Sequence, residues 1–212
     1  MKLYNFHRSS ASYRVRIALN LKALAYEYIP VNLMRRESRT PAYEAVNPQG
    51  IVPTLEDEGR IITQSMAICE YLEETHPNPP LLPRDSAGRA RVRAIALAVA
   101  CEIHPVGGGR AQRLLADTFK ATPDQRTEWM CHFIRTGFAA IETMLARSLE
   151  TGRFCYGDVP TMADAFLVPQ VYNAEIARVG MTPYPTIQRI CGECNRLDAF
   201  IDARPENQPD AA

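Results

Sequence analysis

The sequence predicts a small α/β domain followed by an all-α domain. Three observations carry this. Strand and helix signals alternate over the first eighty residues, a proline-rich stretch interrupts the chain at His76-Pro-Asn-Pro-Pro-Leu-Leu-Pro83, and beyond Asp85 only helical spacing remains. Four prolines in eight residues cannot form a helix interior, so this stretch reads as a linker between domains at 1–80 and 86–212.

In the first part, Lys2–Phe6 reads as a strand. Ser10–Leu21 reads as a helix with Val15, Ala18 and Leu19 on one face and Arg14 and Arg16 among its polar positions. Tyr26–Leu33 is rich in β-branched and aromatic residues and reads as a second strand. The polar segment Met34–Gln49 reads as a short helix and a loop. Ile51–Leu55 and Arg60–Thr63 flank the turn signal Glu56-Asp57-Glu58-Gly59 and read as a hairpin. Ser65–Glu74 reads as a helix. The order β-α-β-α-β-β-α predicts a four-stranded mixed sheet with helices.

In the second part, Ala87–Ile103, Thr127–Leu149, Met162–Val179 and Tyr184–Ala203 have helical spacing. Thr161-Met-Ala-Asp164 has the form of a capping box, with Asp164 reaching back to the amide of Thr161. The almost wholly apolar Ala163–Val171 that follows predicts a buried helix.

Composition limits the function. The chain has 212 residues, 24 Lys plus Arg and 24 Asp plus Glu. Balanced charge gives no general reason to expect nucleic acid or an anionic membrane as partner, and no apolar run approaches the ~20 residues that span a bilayer. The N-terminus opens on a strand-like KLYNF without a signal-peptide core. Six scattered cysteines then read as reduced thiols of a cytoplasmic protein. Cys191-Gly-Glu-Cys194 has CxxC spacing but lies in a helical stretch, and no second Cys or His pair completes a metal site, so no metal is expected.

Three places could hold an anionic ligand. Ser9 and Ser10 sit at a helix start, where free amides and partial positive charge gather, with Arg8 before them. One serine caps the helix, and a hydroxyl there can also donate to a thiolate or oxyanion and lower its pKa. A hydrolase triad is not expected, because the chain lacks a G-x-S-x-G elbow. Val52-Pro53 follows the Asn47-Pro48-Gln49-Gly50 turn and reads either as a simple strand start or as an open strand edge able to pair with an extended peptide. Ser65 reads as the cap of a second helix, with Gln64 before it. Together these features suit a small anionic peptide.

The stretches RSSASYRVRIALNLK, NPQGIVPTL, QSMAICEYLEE, LLPRD, MADAFLVPQV and TPYPTI, taken in order, resemble the zeta class of glutathione transferases, which includes maleylacetoacetate and maleylpyruvate isomerases. The resemblance runs from Met1 to the Gln208-Pro-Asp210 tail. It implies a thioredoxin-like N-terminal domain, an all-α C-terminal domain, a homodimer and glutathione as cofactor. It implies that Ser9 stabilises the glutathione thiolate, with Ser10 at the helix start. The backbone of Val52 would pair with the cysteinyl part, with Pro53 as the cis-proline, while Gln64 and Ser65 would hold the γ-glutamyl group. His104 would reach glutathione from the second domain, and Arg8 and Arg110 would hold carboxylates of a small anionic keto acid. The implied reaction is cis–trans isomerisation: the thiolate adds to the double bond of a maleyl keto acid, the single bond rotates, and elimination leaves the trans product. Two alternatives share these motifs, a transferase acting on another electrophile such as an α-halo acid, and a glutathione-binding protein without catalysis.

The sequence departs from that pattern in four places. Ala11 stands where the family has cysteine, and His7 where an aromatic residue is frequent. Gly107–Gly109 replace bulkier residues and are expected to loosen a pocket wall. Ile176 stands where many relatives have arginine, and Arg178, about 200° away on a continuing helix, would not face the same way.

Overall fold

The computed structural model describes residues 1–211. The chain divides into two compact units, one formed by Met1–Leu81 with the tail from Asn195, the other by Leu82–Cys194.

The first unit contains β1 (Lys2–Asn5), α1 (Ser10–Leu21), β2 (Glu27–Pro30), a 3₁₀ turn (Glu37–Arg39), α2 (Pro41–Val46), β3 (Thr54–Asp57), β4 (Arg60–Thr63) and α3 (Ser65–Thr75). This is the predicted order. The sheet order is β2-β1-β3-β4, with β1 parallel to β2 and antiparallel to β3, and β3 antiparallel to β4. Leu3 faces Leu55 in the β1–β3 register and both are fully buried, under α1 and α3 residues such as Val15, Leu19, Ile68 and Leu72. Burying each such side chain contributes about 1.5–3 kcal/mol. Asp57 pairs with Arg60 across a two-residue turn, Glu58-Gly59, in which both residues have positive φ, the conformation that matches the twist of a hairpin. One expectation is corrected here. β3 lies inside the sheet, so the strand after Pro53 is not an open edge.

A second correction concerns α1. Arg14 and Arg16 do not face solvent; they are 2% and 0% exposed. A buried charge needs partners, and Arg16 has several. It donates to the carbonyl of Ala203 (3.0 Å), Oδ1 of Asn5 (3.1 Å) and the carbonyls of Phe6 (3.4 Å) and His7 (3.0 Å). Arg14 donates to Oγ of Ser65 at 3.2 Å. At the other end of α1, Lys22 Nζ donates to Glu73 (2.8 Å) and to the carbonyls of His76 (2.7 Å) and Pro79 (2.9 Å), while Glu73 also accepts from the amide of Leu81 (2.8 Å). The proline-rich stretch is thereby held on the first unit as far as Leu81.

The segment expected to be one helix, Tyr184–Ala203, is broken into α9 (Pro185–Cys194) and α10 (Asp198–Ile201), followed by a 3₁₀ turn at Pro205–Asn207. The break lets the tail pack on α1. There, Tyr13 donates to Phe200 O (3.4 Å), Asn20 to Ala199 O (3.1 Å) and Arg16 to Ala203 O. From Asn195 onward, residues that the sequence assigned with 86–212 pack with the first unit instead.

The second unit is helical: α4 (Ser86–Leu97), a π-helical segment (Ala98–Ile103), α5 (His104–Gly107), α6 (Gly109–Asp117), α7 (Pro123–Ala146), α8 (Met162–Ile176) and α9. The expected helix Ala87–Ile103 therefore changes to a wider turn in its second half, just before Pro105, which has no N–H to continue an α-helical ladder. Gly107–Gly109 hid α6 from the sequence pattern, since the break is confined to Gly108, which is extended, and the helix resumes at once. α7 starts four residues before the expected Thr127, at Pro123, behind a capping box of Thr122 and Gln125.

The predicted Thr161–Asp164 box starts α8, whose residues from Met162 to Val171 are all buried. The Asp164 carboxylate accepts from the Thr161 amide (2.8 Å), the Thr161 hydroxyl (2.9 Å) and the Cys155 amide (2.9 Å). Burial raises the Asp164 pKa, and these hydrogen bonds oppose the rise. Cys155, Cys191 and Cys194 are buried near it, and burial pushes all three thiols up, so they are held protonated and unreactive. No group of His, Cys, Asp and Glu able to hold a metal ion occurs among the described residues, and no described helix is long and apolar enough to cross a membrane.

Candidate functional site

In the first unit the candidate residues lie on two helix starts and the loop before β3. The β1–α1 loop turns at Phe6, whose carbonyl accepts from the Ser9 amide at 3.0 Å. Ser9 is the N-cap of α1, with extended backbone (φ −73°, ψ 113°), and its Oγ accepts from the Ser12 amide at 3.2 Å. Accepting that bond leaves the hydroxyl proton available to donate. Ser9 is half-buried, so a ligand can reach it, and Arg8 beside it is exposed. Ser10 is the first helical residue and is buried. The cap is therefore Ser9, and α1 carries no acidic residue in its first turn to offset the positive helix end.

The Val52–Pro53 peptide is cis. The carbonyl of Ile51 before it accepts from Tyr43 Oη and Asn47 Nδ2, both at 2.8 Å, which fixes the loop. Val52 lies just beyond the β3 ladders, whose last pairs are Tyr4–Thr54 and Thr54–Thr63. Its side chain shares an apolar cluster with Phe6, Val31 and Tyr43. That cluster brings the loop before β3 next to the loop that carries Ser9.

At α3 the cap is one residue earlier than expected. Gln64, not Ser65, holds the N-cap position, with a positive φ (72°) and ψ 123°, and it makes no side-chain cap bond. Its side-chain Nε2 donates instead to Gln49 Oε1 at 2.9 Å. Ser65 is the first helical residue, and its Oγ accepts from the buried Arg14. The first turn of α3 thus combines backbone amides without a side-chain cap, no acidic residue, a serine hydroxyl and a guanidinium behind it. Such a helix end suits a carboxylate.

In the second unit, His104 directly follows the π segment and is partly buried. Its carbonyl lies so close to Gly108 that a Cβ there would come within 2.9 Å, and its ring is nearby, 3.9 Å from the same point. Arg110 is the second residue of α6 and is exposed. α8 ends at Ile176, which is exposed. Arg178 lies beyond the cap with φ 58°, so the angular separation expected on a continuing helix does not apply to it.

Sequence reasoning missed the buried set behind these residues: Arg14 under Ser65, and Arg16 and Asp210 behind the Phe6–Ser9 loop. Asp210 Oδ2 accepts from the His7 amide at 3.2 Å and lies 3.4 Å from His7 Nδ1, and its Oδ1 accepts from the Tyr28 hydroxyl. For Arg14 and Arg16 the sequence offered only their charge at positions that periodicity read as polar, and Asp210 entered only with the Gln208-Pro-Asp210 tail of the family resemblance.

Residues 3–80 match the family model described as glutathione S-transferase, N-terminal domain. A maleylpyruvate isomerase from Ralstonia sp is 48% identical over 212 residues, covering 100% of both chains. A solved structure of a maleylpyruvate isomerase, described as a holo bacterial glutathione S-transferase of the zeta class, superposes with a TM-score of 0.98 at 48% identity and 100% coverage of both chains. The maleylacetoacetate isomerase of Methylobacterium extorquens AM1, solved with bound malonate and glutathione, superposes with a TM-score of 0.97 at 40% identity, again over 100% of both chains. The chain belongs to the zeta class of glutathione transferases, with the maleylpyruvate and maleylacetoacetate isomerases.

Proposed function

We propose that the protein is a glutathione-dependent cis–trans isomerase of a maleyl keto acid, maleylpyruvate or maleylacetoacetate. The observation that carries the proposal is the Ser9 hydroxyl, placed as the cap of a helix whose positive end has no acidic residue. Full-length similarity to a maleylpyruvate isomerase supports the same reading.

The residues present fit glutathione. Ser9 keeps a donor for a thiolate, the Val52 backbone beyond the β3 ladder suits pairing with an extended cysteinyl unit, and the start of α3 suits the γ-glutamyl carboxylate. When bound, glutathione supplies the thiolate that makes the cis double bond temporarily single. Ser9 holds that sulfur ionised by donating to it, aided by the α1 helix end. Gln64 and Ser65 fix the γ-glutamyl end, with Arg14 holding the Ser65 hydroxyl from behind. His104 is assigned to glutathione as well. Arg8 and Arg110, both exposed guanidinium groups, are assigned to the carboxylates of the keto acid, for which the planar fork is the matching donor. The reading includes a homodimer, as the family resemblance implies, and a cytoplasmic location, in keeping with six cysteines that are free thiols.

The test is to mix purified protein with glutathione and each keto acid in turn and follow loss of the cis-enone absorbance. Glutathione-dependent turnover of either substrate is expected, and the ratio of kcat/KM names the preferred one. No turnover of either substrate would overturn the proposal, with conversion of an α-halo acid then pointing to a general transferase.

A further inference from the structure

The loop carrying Arg8 and Ser9 is held from behind by the far end of the chain. Its two peptide groups at His7 are both engaged. The His7 amide donates to Asp210 Oδ2 at 3.2 Å, and the His7 carbonyl accepts from Arg16 Nη2 at 3.0 Å. Arg16 also binds the Phe6 carbonyl (3.4 Å) and Asn5 Oδ1 (3.1 Å), and its Nε binds Ala203 O (3.0 Å) in the tail. Asp210 spans the same region, since its other oxygen accepts from Tyr28 on β2. A carboxylate from the tail and a guanidinium from α1 thus grip opposite sides of one residue, two positions before Ser9. Arg16 is fully buried and Asp210 is mostly buried, so little water competes for these bonds.

We infer that Asp210 is a positioning residue for the reaction: through His7 it fixes the turn that aims the Ser9 hydroxyl, so that the chain's C-terminal tail sets how well the bound thiol is ionised. The inference rests on the proposed role of Ser9. It differs from a general stabilising role in one respect. The Phe6 carbonyl takes both the Ser9 amide and Arg16, so any movement of the His7 peptide is passed directly to the cap residue. Removing Asp210 leaves the His7 amide and the Tyr28 hydroxyl without their acceptor and takes the carboxylate from beside the imidazole, while the hydrophobic core of the sheet under Leu3 and Leu55 is untouched.

The test compares wild type, Ser9→Ala, Asp210→Ala, Asp210→Glu and the milder Tyr28→Phe. One readout is the spectroscopic titration of the thiol in the glutathione complex. The second is amide hydrogen exchange at His7 and Ser9, with Leu3 as the internal control, and thermal melting verifies folding. Asp210→Ala is expected to speed exchange at His7 and Ser9 at least tenfold with Leu3 unchanged. The thiolate fraction and kcat should fall about three- to tenfold, and KM for glutathione should change less than twofold. Asp210→Glu should restore part of both readouts, and Tyr28→Phe should give a smaller shift in the same direction. Unchanged exchange at His7, or an unchanged thiol titration in Asp210→Ala and Tyr28→Phe, would overturn the inference. A Ser9→Ala complex that titrates like wild type would instead overturn the Ser9 role itself, and that result is visible without any tail variant.

Discussion

Replacing Gly137 by alanine sets two effects of opposite sign against each other. Gly137 lies in the interior of α7, where alanine is favoured over glycine by about 1 kcal/mol. A Cβ at that point, however, would come within 2.3 Å of both Cδ1 and Cγ1 of Ile103. Carbon atoms in contact rest at about 3.5–4.0 Å, so the overlap exceeds about 1 Å. The Ile103 side chain is only 1% exposed, and moving its Cγ1 requires a χ1 change in a β-branched residue that packing already restricts. Overpacking of this kind costs about 1–3 kcal/mol. The clash therefore matches or exceeds the helical gain, and the net expectation is destabilisation of up to about 2 kcal/mol. Ile103 closes the π segment and precedes His104, so the displacement is delivered to a proposed glutathione residue and kcat/KM should fall as well.

The assay is urea unfolding of wild type, Gly137→Ala, Ile103→Ala and the double variant. Ile103→Ala alone should cost about 2–5 kcal/mol, because it empties a buried site. It also removes the two atoms that the new methyl meets, so the double variant should be no less stable than Ile103→Ala. A Gly137→Ala protein more stable than wild type would show that propensity wins and refute the reasoning. A coupling energy below about 0.5 kcal/mol would do the same.

Three further outcomes follow from the geometry. Ser9→Ala should lower kcat about 10²- to 10³-fold, the effect of losing one donor to a developing charge, and cost about 1 kcal/mol of stability through the lost cap; steady-state kinetics beside a melting curve that shows neither change removes Ser9 from the site. Glu73→Ala leaves the buried Lys22 ammonium without its carboxylate and should cost about 3–5 kcal/mol in denaturant unfolding, against less than 1 kcal/mol if the pair behaves as a surface one. Asp164 has a raised native pKa, caused first by burial, so the native state binds its proton more tightly than the unfolded state, whose carboxyl titrates near about 3.9. Its contribution is full below about pH 4 and is lost as pH rises through the raised value. Asp164→Asn should therefore gain on wild type across that window, and a stability difference independent of pH would contradict the assignment.

How much of this was legible in the sequence depended on which force sets each feature. The β4 strand was read to the residue and α1 closely, because the Glu56–Gly59 turn signal and a serine start are local signals. The Thr161–Asp164 box was legible for the same reason. The tail was not. Residues 184–203 keep helical spacing throughout, and the break at 195–197 comes from long-range capture of the Ala199, Phe200 and Ala203 carbonyls by α1 side chains. The α6 helix was hidden by three glycines, whose weak propensity is a local cost that the extended Gly108 alone expresses. At the site, Ser9 was legible as a cap, whereas the cap of α3 was misplaced by one residue, because Gln64 takes a positive φ that its side chain does not advertise.

The deepest misreading, that of Arg14 and Arg16, also explains how the first unit is built. Residues two apart on a helix point about 200° apart, so if both are buried the helix must be covered on nearly opposite sides. That is what happens to α1: Arg14 reaches Ser65 at the start of α3, and Arg16 reaches the β1–α1 loop and the tail. Periodicity assigns charges to a wet face, yet here each charge ends on oxygens of a segment that carries a proposed ligand-binding residue. An arginine is long enough to cross from a central helix to such a loop and has five donors with which to hold it. Lysine at either position would keep the charge and lose the fork, so Arg16→Lys should retain the fold less well than its charge conservation suggests and should loosen the Ser9 turn. The core of this domain thus does two jobs with one helix. Its apolar residues anchor the sheet, and its two buried guanidinium groups fix the loops from which the Ser9 and Ser65 hydroxyls are presented.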